Sequence, residues 1–215
     1  MAAASIFERP RPPVALTEIG LPDRFEPAPE LLEWIRASYI DPKGPLYFEA
    51  HQLLATAEIG VLWTNVDNCA RGRRIAGQAE LCDRLRHMNK WLRGRIYQQV
   101  GEWFGRIPDF ILTFDSLHAV DIDDASFCAL VDHELCHCAP ETDEFGAPKF
   151  NRATGQPKWT IRGHDVEEFV SVVDRFGVEA AGEAVTDMVI AAASPPRLGR
   201  AEIGRACGTC LRLAA

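Results

Sequence analysis

Little in this chain ties it to a membrane, a secretory route or a nucleic acid. No stretch of its 215 residues approaches the roughly 18 consecutive apolar residues of a membrane helix. Pro10, Pro12 and Pro13 interrupt the N-terminus before a signal-peptide core can form. Basic charge is scarce: 23 Lys and Arg face 31 Asp and Glu, a net charge of −8. That balance argues against a surface built mainly to grip phosphates. Internal repeats are missing. So is a second CxxC beside Cys207-Gly208-Thr209-Cys210, and a structural zinc needs four ligands. The seven cysteines are an odd number without a secretory signal, which reads as free thiols rather than a disulfide framework. The expectation is a soluble, cytoplasmic protein with no membrane partner.

What is present suffices for one good-sized domain, since 47% of the residues are hydrophobic. Residues 1–30 hold six of the fourteen prolines and read as an extended arm. Residues 31–195 read as the domain. Pro195-Pro196 ends it, and residues 196–215 form a mildly basic tail with four arginines against one glutamate. A nucleic-acid partner, disfavoured overall, is confined to that tail. The single CxxC reads there as incidental thiols in a mobile segment, with half of an intermolecular zinc site as the alternative.

Periodicity places the elements. Leu31–Ile35 opens a short helix, and Phe48–Ala57 is compatible with another. Ile59–Thr64 and Asp109–Asp115 read as strands. Leu81, Leu85, Met88, Leu92, Ile96, Val100 and Trp103 recur at steps of three and four, predicting one long helix over 79–104. Asp123 or Asp124 caps a helix over about 124–139, on which Phe127, Val131, Leu135 and Cys138 share one face. Pro148–Asn151 and Lys158–Arg162 are expected to pair as a hairpin. A helix over 165–176 follows, with Val166, Phe169, Val170 and Val173 buried and Gly177 at its C-cap. A last helix spans about 183–193.

The chemistry concentrates in His133-Glu134-Leu135-Cys136-His137. Two histidines one helical turn apart can reach one zinc ion, and the glutamate between them can act as general base toward a water on that ion. A catalytic zinc takes three protein ligands. His164, after 26 intervening residues and at the head of a helix, is the favoured third; Glu167 and Glu168 are rivals. Asp165 is a natural N-cap and a possible orienting partner for a histidine. Cys136 and Cys138 flank His137, with Cys138 expected to be a buried small residue. His51, His87 and His118 stand alone. Arg162, Tyr97 and His118 are open candidates for stabilising an oxyanion.

The stretches Asp132–Cys138 and Arg162-Gly163-His164-Asp165-Val166-Glu167-Glu168-Phe169 closely resemble the phage metallopeptidase family, proteins of bacteriophages and prophages. The resemblance extends from about Glu58 to Gly177. More distantly the pattern is similar to the SprT and WLM-type minimal zincins, in which a third histidine heads a later helix with an aromatic residue a few positions on, as in His164 and Phe169. The resemblance implies Zn2+ held by His133, His137 and His164, with Glu134 as catalytic base, in a bacterial host cell. It implies an α+β, minimal zincin-like metalloprotease fold: a small mixed sheet, an active-site helix, a long backing helix and C-terminal helices. The expected activity is hydrolysis of peptide bonds in a protein or peptide substrate, with Phe110–Phe114 as the edge strand that holds it. A catalytically idle zinc-binding scaffold and a SprT-like DNA-associated protease are the alternatives.

Overall fold

The computed structural model describes residues 8–18, 20–70, 73–82, 88–166, 170–178, 182–202 and 207–209. They divide into two compact units, one of residues 1–162 with 201–215, the other of residues 163–200. Among the described residues no helix is long and apolar enough to cross a membrane.

The first unit is an α+β structure built on a four-stranded mixed sheet. β1 (Phe25–Pro27) lies antiparallel to β2 (Ile59–Thr64), which runs parallel to β6 (Phe110–Asp115); β5 (Gly77–Leu81) closes the other edge antiparallel to β6. β3 (Cys69–Ala70) and β4 (Arg73–Arg74) form a small ribbon before β5. The two central strands are rich in β-branched and aromatic residues and buried on both faces. Their pleat divides them: Val61, Trp63, Phe110, Leu112 and Phe114 enter the main core, while Leu62 and Ile111 face a smaller cluster with Val100.

α2 (Lys90–Phe104) covers that smaller cluster. Asn89 caps it by accepting from Trp91 N at 2.9 Å, and Gly105 ends it in the left-handed conformation. The long helix expected over 79–104 is therefore two elements. Residues 77–81 obtain backbone partners from β6, which overrides their helical spacing; residues 83–87 fall outside the described set. Trp91 and Leu92 are exposed, so this part of the apolar stripe is not core.

The opposite face carries α1 (Pro29–Ile35), α3 (Ser116–Asp121) and α4 (Asp124–His137). Asp115 starts α3 by accepting from Leu117 N and His118 N. Residues 49–56 form a 3-10 helix at the position read as helical. The proline-rich arm is fastened to this face. Arg9 is buried, donates to Asp124 Oδ1 and to Ala119 O, and lies 4.0 Å over the Phe127 ring. Leu16 is fully buried, and its carbonyl accepts from Ser116 Oγ at 2.7 Å.

β7 (Cys138–Pro140) leaves α4 and pairs antiparallel with β8 (Trp159–Ile161). The hairpin expected across 148–162 is present in looser form. Phe150 bridges Pro157 and Lys158 N donates to Lys149 O, while 159–161 take β7 as partner instead. The strand expected at the edge, Phe110–Phe114, is interior; the edges are β1 and β5.

In the second unit α5 (Val170–Phe176) ends where Gly177, at a φ of 88°, donates to Val173 O, and α6 (Glu183–Ala192) follows. Val170, expected to be buried, is 84% exposed. Phe169 lies outside the described residues.

Candidate metal centre

α4 is the element that presents the site. Asp123 caps its first turn, accepting from Ser126 N at 2.9 Å and from Ser126 Oγ at 2.8 Å. Phe127, Leu130, Val131 and Leu135 lock the helix into the core at 0–1% exposure. Phe127 stacks within 5.6 Å of both Trp63 and Phe114. With that face fixed, the helical pitch turns His133 and His137 to the side and Glu134 toward β5.

The two imidazoles meet as the spacing requires. Nε2 of His133 and Nε2 of His137 are 3.2 Å apart. His137 Nδ1 lies 2.7 Å from the Arg162 carbonyl oxygen. A carbonyl only accepts, so Nδ1 carries the proton and Nε2 holds a lone pair directed at the other donors. Arg162 N donates back to His137 O at 2.9 Å, which holds that carbonyl in place.

Glu134 is fully buried against β5. A Cβ on Gly77 would come within 3.1 Å of Glu134 Oε1 and 3.0 Å of Leu130 Cδ1, so the absent side chain is what lets the strand approach. Oε2 accepts from Thr209 Oγ1 at 2.9 Å. Oε1 has no hydrogen-bond partner among the described residues. Burial pushes the Glu134 pKa up to about 7, opposed by hydrogen bonding from Cys207, Thr209 and the Ala79 amide.

A third donor stands with the histidines. Cys207 Sγ lies 3.4 Å from His137 Nε2, and the ligand atoms of His133, His137 and Cys207 all fall within 4.8 Å of one another. Tetrahedral zinc, with bonds of about 2.0–2.1 Å to nitrogen and 2.3 Å to sulfur, sets donor separations of roughly 3.3 Å for N···N and 3.6 Å for N···S. The His133–His137 and His137–Cys207 separations are each within about 0.2 Å of these values. Two imidazole nitrogens and a thiol gathered at one point, beside a buried carboxylate oxygen without a partner among the described residues, fit a divalent metal.

Sequence reasoning missed Cys207, reading it as an incidental thiol in a mobile tail. The segment is instead buried at Gly208 and Thr209 and docked on β5. Its only sequence signal was a soft ligand type in a chain with a strong two-histidine motif. His164 stands exposed at the start of the second unit. Glu167 and Glu168 lie outside the described residues, as do His87 and Cys210. Cys138 is buried, as expected. His118 is half-buried on α3, where desolvation lowers its pKa; it is not part of the histidine cluster. His51 pairs with Asp132 at 2.9 Å, and these two form a second potential ligand group with Cys136.

A family model described as "Putative phage metallopeptidase" matches residues 32–193. No curated protein and no solved structure matches the chain.

Proposed function

The chain belongs to the putative phage metallopeptidase family, and on that premise we propose that it is a zinc-dependent metallopeptidase, encoded by a phage or prophage and acting in the bacterial cytoplasm. The observation that carries this reading is a single arrangement. His133 Nε2 and His137 Nε2 sit 3.2 Å apart on the helix that carries a fully buried glutamate between them, one of whose oxygens has no hydrogen-bond partner among the described residues. A purely structural metal has no need of that carboxylate.

His133 and His137 hold the metal, and His164 is the third protein ligand of the working enzyme. The Arg162 carbonyl keeps His137 in the tautomer that can bind. The metal supplies a Lewis acid that acidifies water and polarises a carbonyl. Glu134 Oε1 takes the proton of the attacking water and later delivers it to the leaving nitrogen. The substrate is an extended peptide laid on β5. That strand is an edge of its sheet, and among the described residues only the short Cys207–Thr209 segment meets its outer side. A cavity of about 460 Å³, lined largely by Leu81, Ile96, Val100, Trp103 and Ile111, borders the same strand and suits an apolar side chain.

The test is metal analysis of the purified full chain beside mass-spectrometric detection of cleavage products from an unfolded protein. The expected result is about one zinc per chain, with products absent after chelation and in Glu134→Gln. His164→Ala is expected to lose the metal and Glu167→Ala to keep it. A wild-type chain that neither carries nor takes up zinc would overturn the reading.

A further inference from the structure

We propose that Cys207–Thr209 is a plug built into the metal centre: Cys207 Sγ ligates the metal in the resting protein, and the segment occupies the β5 edge that a peptide substrate needs. The inference rests on the metallopeptidase reading and concerns how that site is regulated.

Three features of the segment point to the same place. Cys207 brings its sulfur to 3.4 Å from His137 Nε2, in the ligand cluster with His133. A thiolate is among the donors zinc prefers. Gly208 N donates to Gly77 O at 2.8 Å, and Cys207 bridges Gly77 in parallel register. Thr209 Oγ1 accepts from Ala79 N at 2.7 Å and donates to Glu134 Oε2 at 2.9 Å. Gly77 O and Ala79 N are backbone groups on the open side of the edge strand, so a substrate strand and this segment compete for the same hydrogen bonds.

Each residue type suits its task. Only the cysteine can ligate a metal. A Cβ on Gly208 would lie 2.5 Å from Ile75 Cγ2 and 3.0 Å from Gln78 Oε1, so glycine is what permits the close approach. The threonine hydroxyl satisfies both the strand amide and the carboxylate. Upstream, Glu202 N donates to Ser126 Oγ at the first turn of α4, a second anchor on the same helix.

The consequence follows from coordination number. Three histidines leave one of four tetrahedral positions for water, and the sulfur takes that position. Cys207 binds as the thiolate and releases its proton to solvent; detachment reverses this by taking a proton back, with no change of oxidation state. Because the plug is tethered, its effective concentration is of millimolar order, and peptides at micromolar concentration displace it poorly.

The experiment loads the full-length protein with cobalt(II) in place of zinc. Thiolate ligation adds a sulfur-to-cobalt charge-transfer band in the near ultraviolet to the weaker visible bands of the bound ion. Wild type is expected to show both. Cys207→Ser is expected to keep the visible bands and the metal stoichiometry, to lose the charge-transfer band, and to cleave a peptide on the order of tenfold faster or more. Gly208→Val, which keeps the thiol but clashes with Ile75, is expected to behave in the same way. Visible bands without charge transfer in wild type, charge transfer that persists in Cys207→Ser, or loss of metal from Cys207→Ser would each overturn the plug while leaving a metal site. Failure of every variant to bind cobalt would overturn the metallopeptidase reading itself, and the plug with it.

Discussion

The Nδ1 of His137 lies 2.7 Å from the backbone carbonyl oxygen of Arg162. This contact settles which ring nitrogen is protonated and therefore which one faces His133 and Cys207. It depends on the pairing of β7 with β8, which sets Cys138 against Ile161 next to both residues. A proline at Arg162 would remove the N–H that donates to His137 O. Arg162→Pro is expected to weaken zinc affinity roughly 10–100-fold, the range for loss of an outer-shell partner. Competition with a chromogenic chelator measures it, and unchanged affinity would show that the carbonyl does not orient the ring.

Glu134→Gln separates binding from chemistry. The amide keeps the volume at a fully buried position and cannot accept a proton. Metal content is expected to stay at the wild-type level while kcat falls about 10²–10⁴-fold, the range for loss of a general base. Loss of metal in this variant would instead make Glu134 a ligand.

Two glycines make an internal control. In α2, a Cβ on Gly94 meets nothing within 4 Å. Gly94→Ala is therefore expected to stabilise the protein by about 0.5–1 kcal/mol through the lower entropy of its unfolded chain. Gly77→Ala forces its Cβ to 3.0 Å from Leu130 Cδ1 and 3.1 Å from Glu134 Oε1. It is expected to lower Tm and to pry the edge strand from α4. Thermal melts of the pair would show opposite signs; a shared sign would mean that the strand relaxes freely.

Phe127 holds α4 to the sheet. It is fully buried, flanked by Trp63 and Phe114, with the Arg9 guanidinium over its face. Phe127→Ala is expected to cost about 3–5 kcal/mol, or roughly 6–20 °C in Tm for a chain of this length. Denaturant melts with an unchanged slope would confirm that the loss belongs to the folded state.

Acid should act on the cap of the same helix. Hydrogen bonds from the Ser126 amide and then its hydroxyl hold the Asp123 carboxyl below its ordinary pKa. The carboxylate is thus favoured in the folded state, and its contribution is complete above the ordinary carboxylate range. It is lost as pH falls through the depressed folded value. The Tm difference between wild type and Asp123→Ala is expected to be open at neutral pH and to close in strong acid. A gap that widened on acidification would contradict the assignment.

What the sequence by itself determined is local. The i, i+4 spacing of His133 and His137 makes their meeting a property of one helical turn, and Asp123 with the Phe127–Leu135 stripe announces the helix that carries them. The strands Ile59–Thr64 and Phe110–Asp115 were legible from their composition. Tertiary structure decided the rest. Residues 79–81 carry helical spacing, yet become an edge strand because β6 offers them backbone partners. Phe110–Phe114 reads as an edge and is interior because β5 and β2 both pair with it. Arg162 reaches His137 from 25 residues away, and Cys207 from 70. Periodicity encodes which side chains share a face of one element. It carries no record of which distant backbone closes on that face, and in this protein that closure sets the histidine tautomer and brings a thiol to the histidine pair.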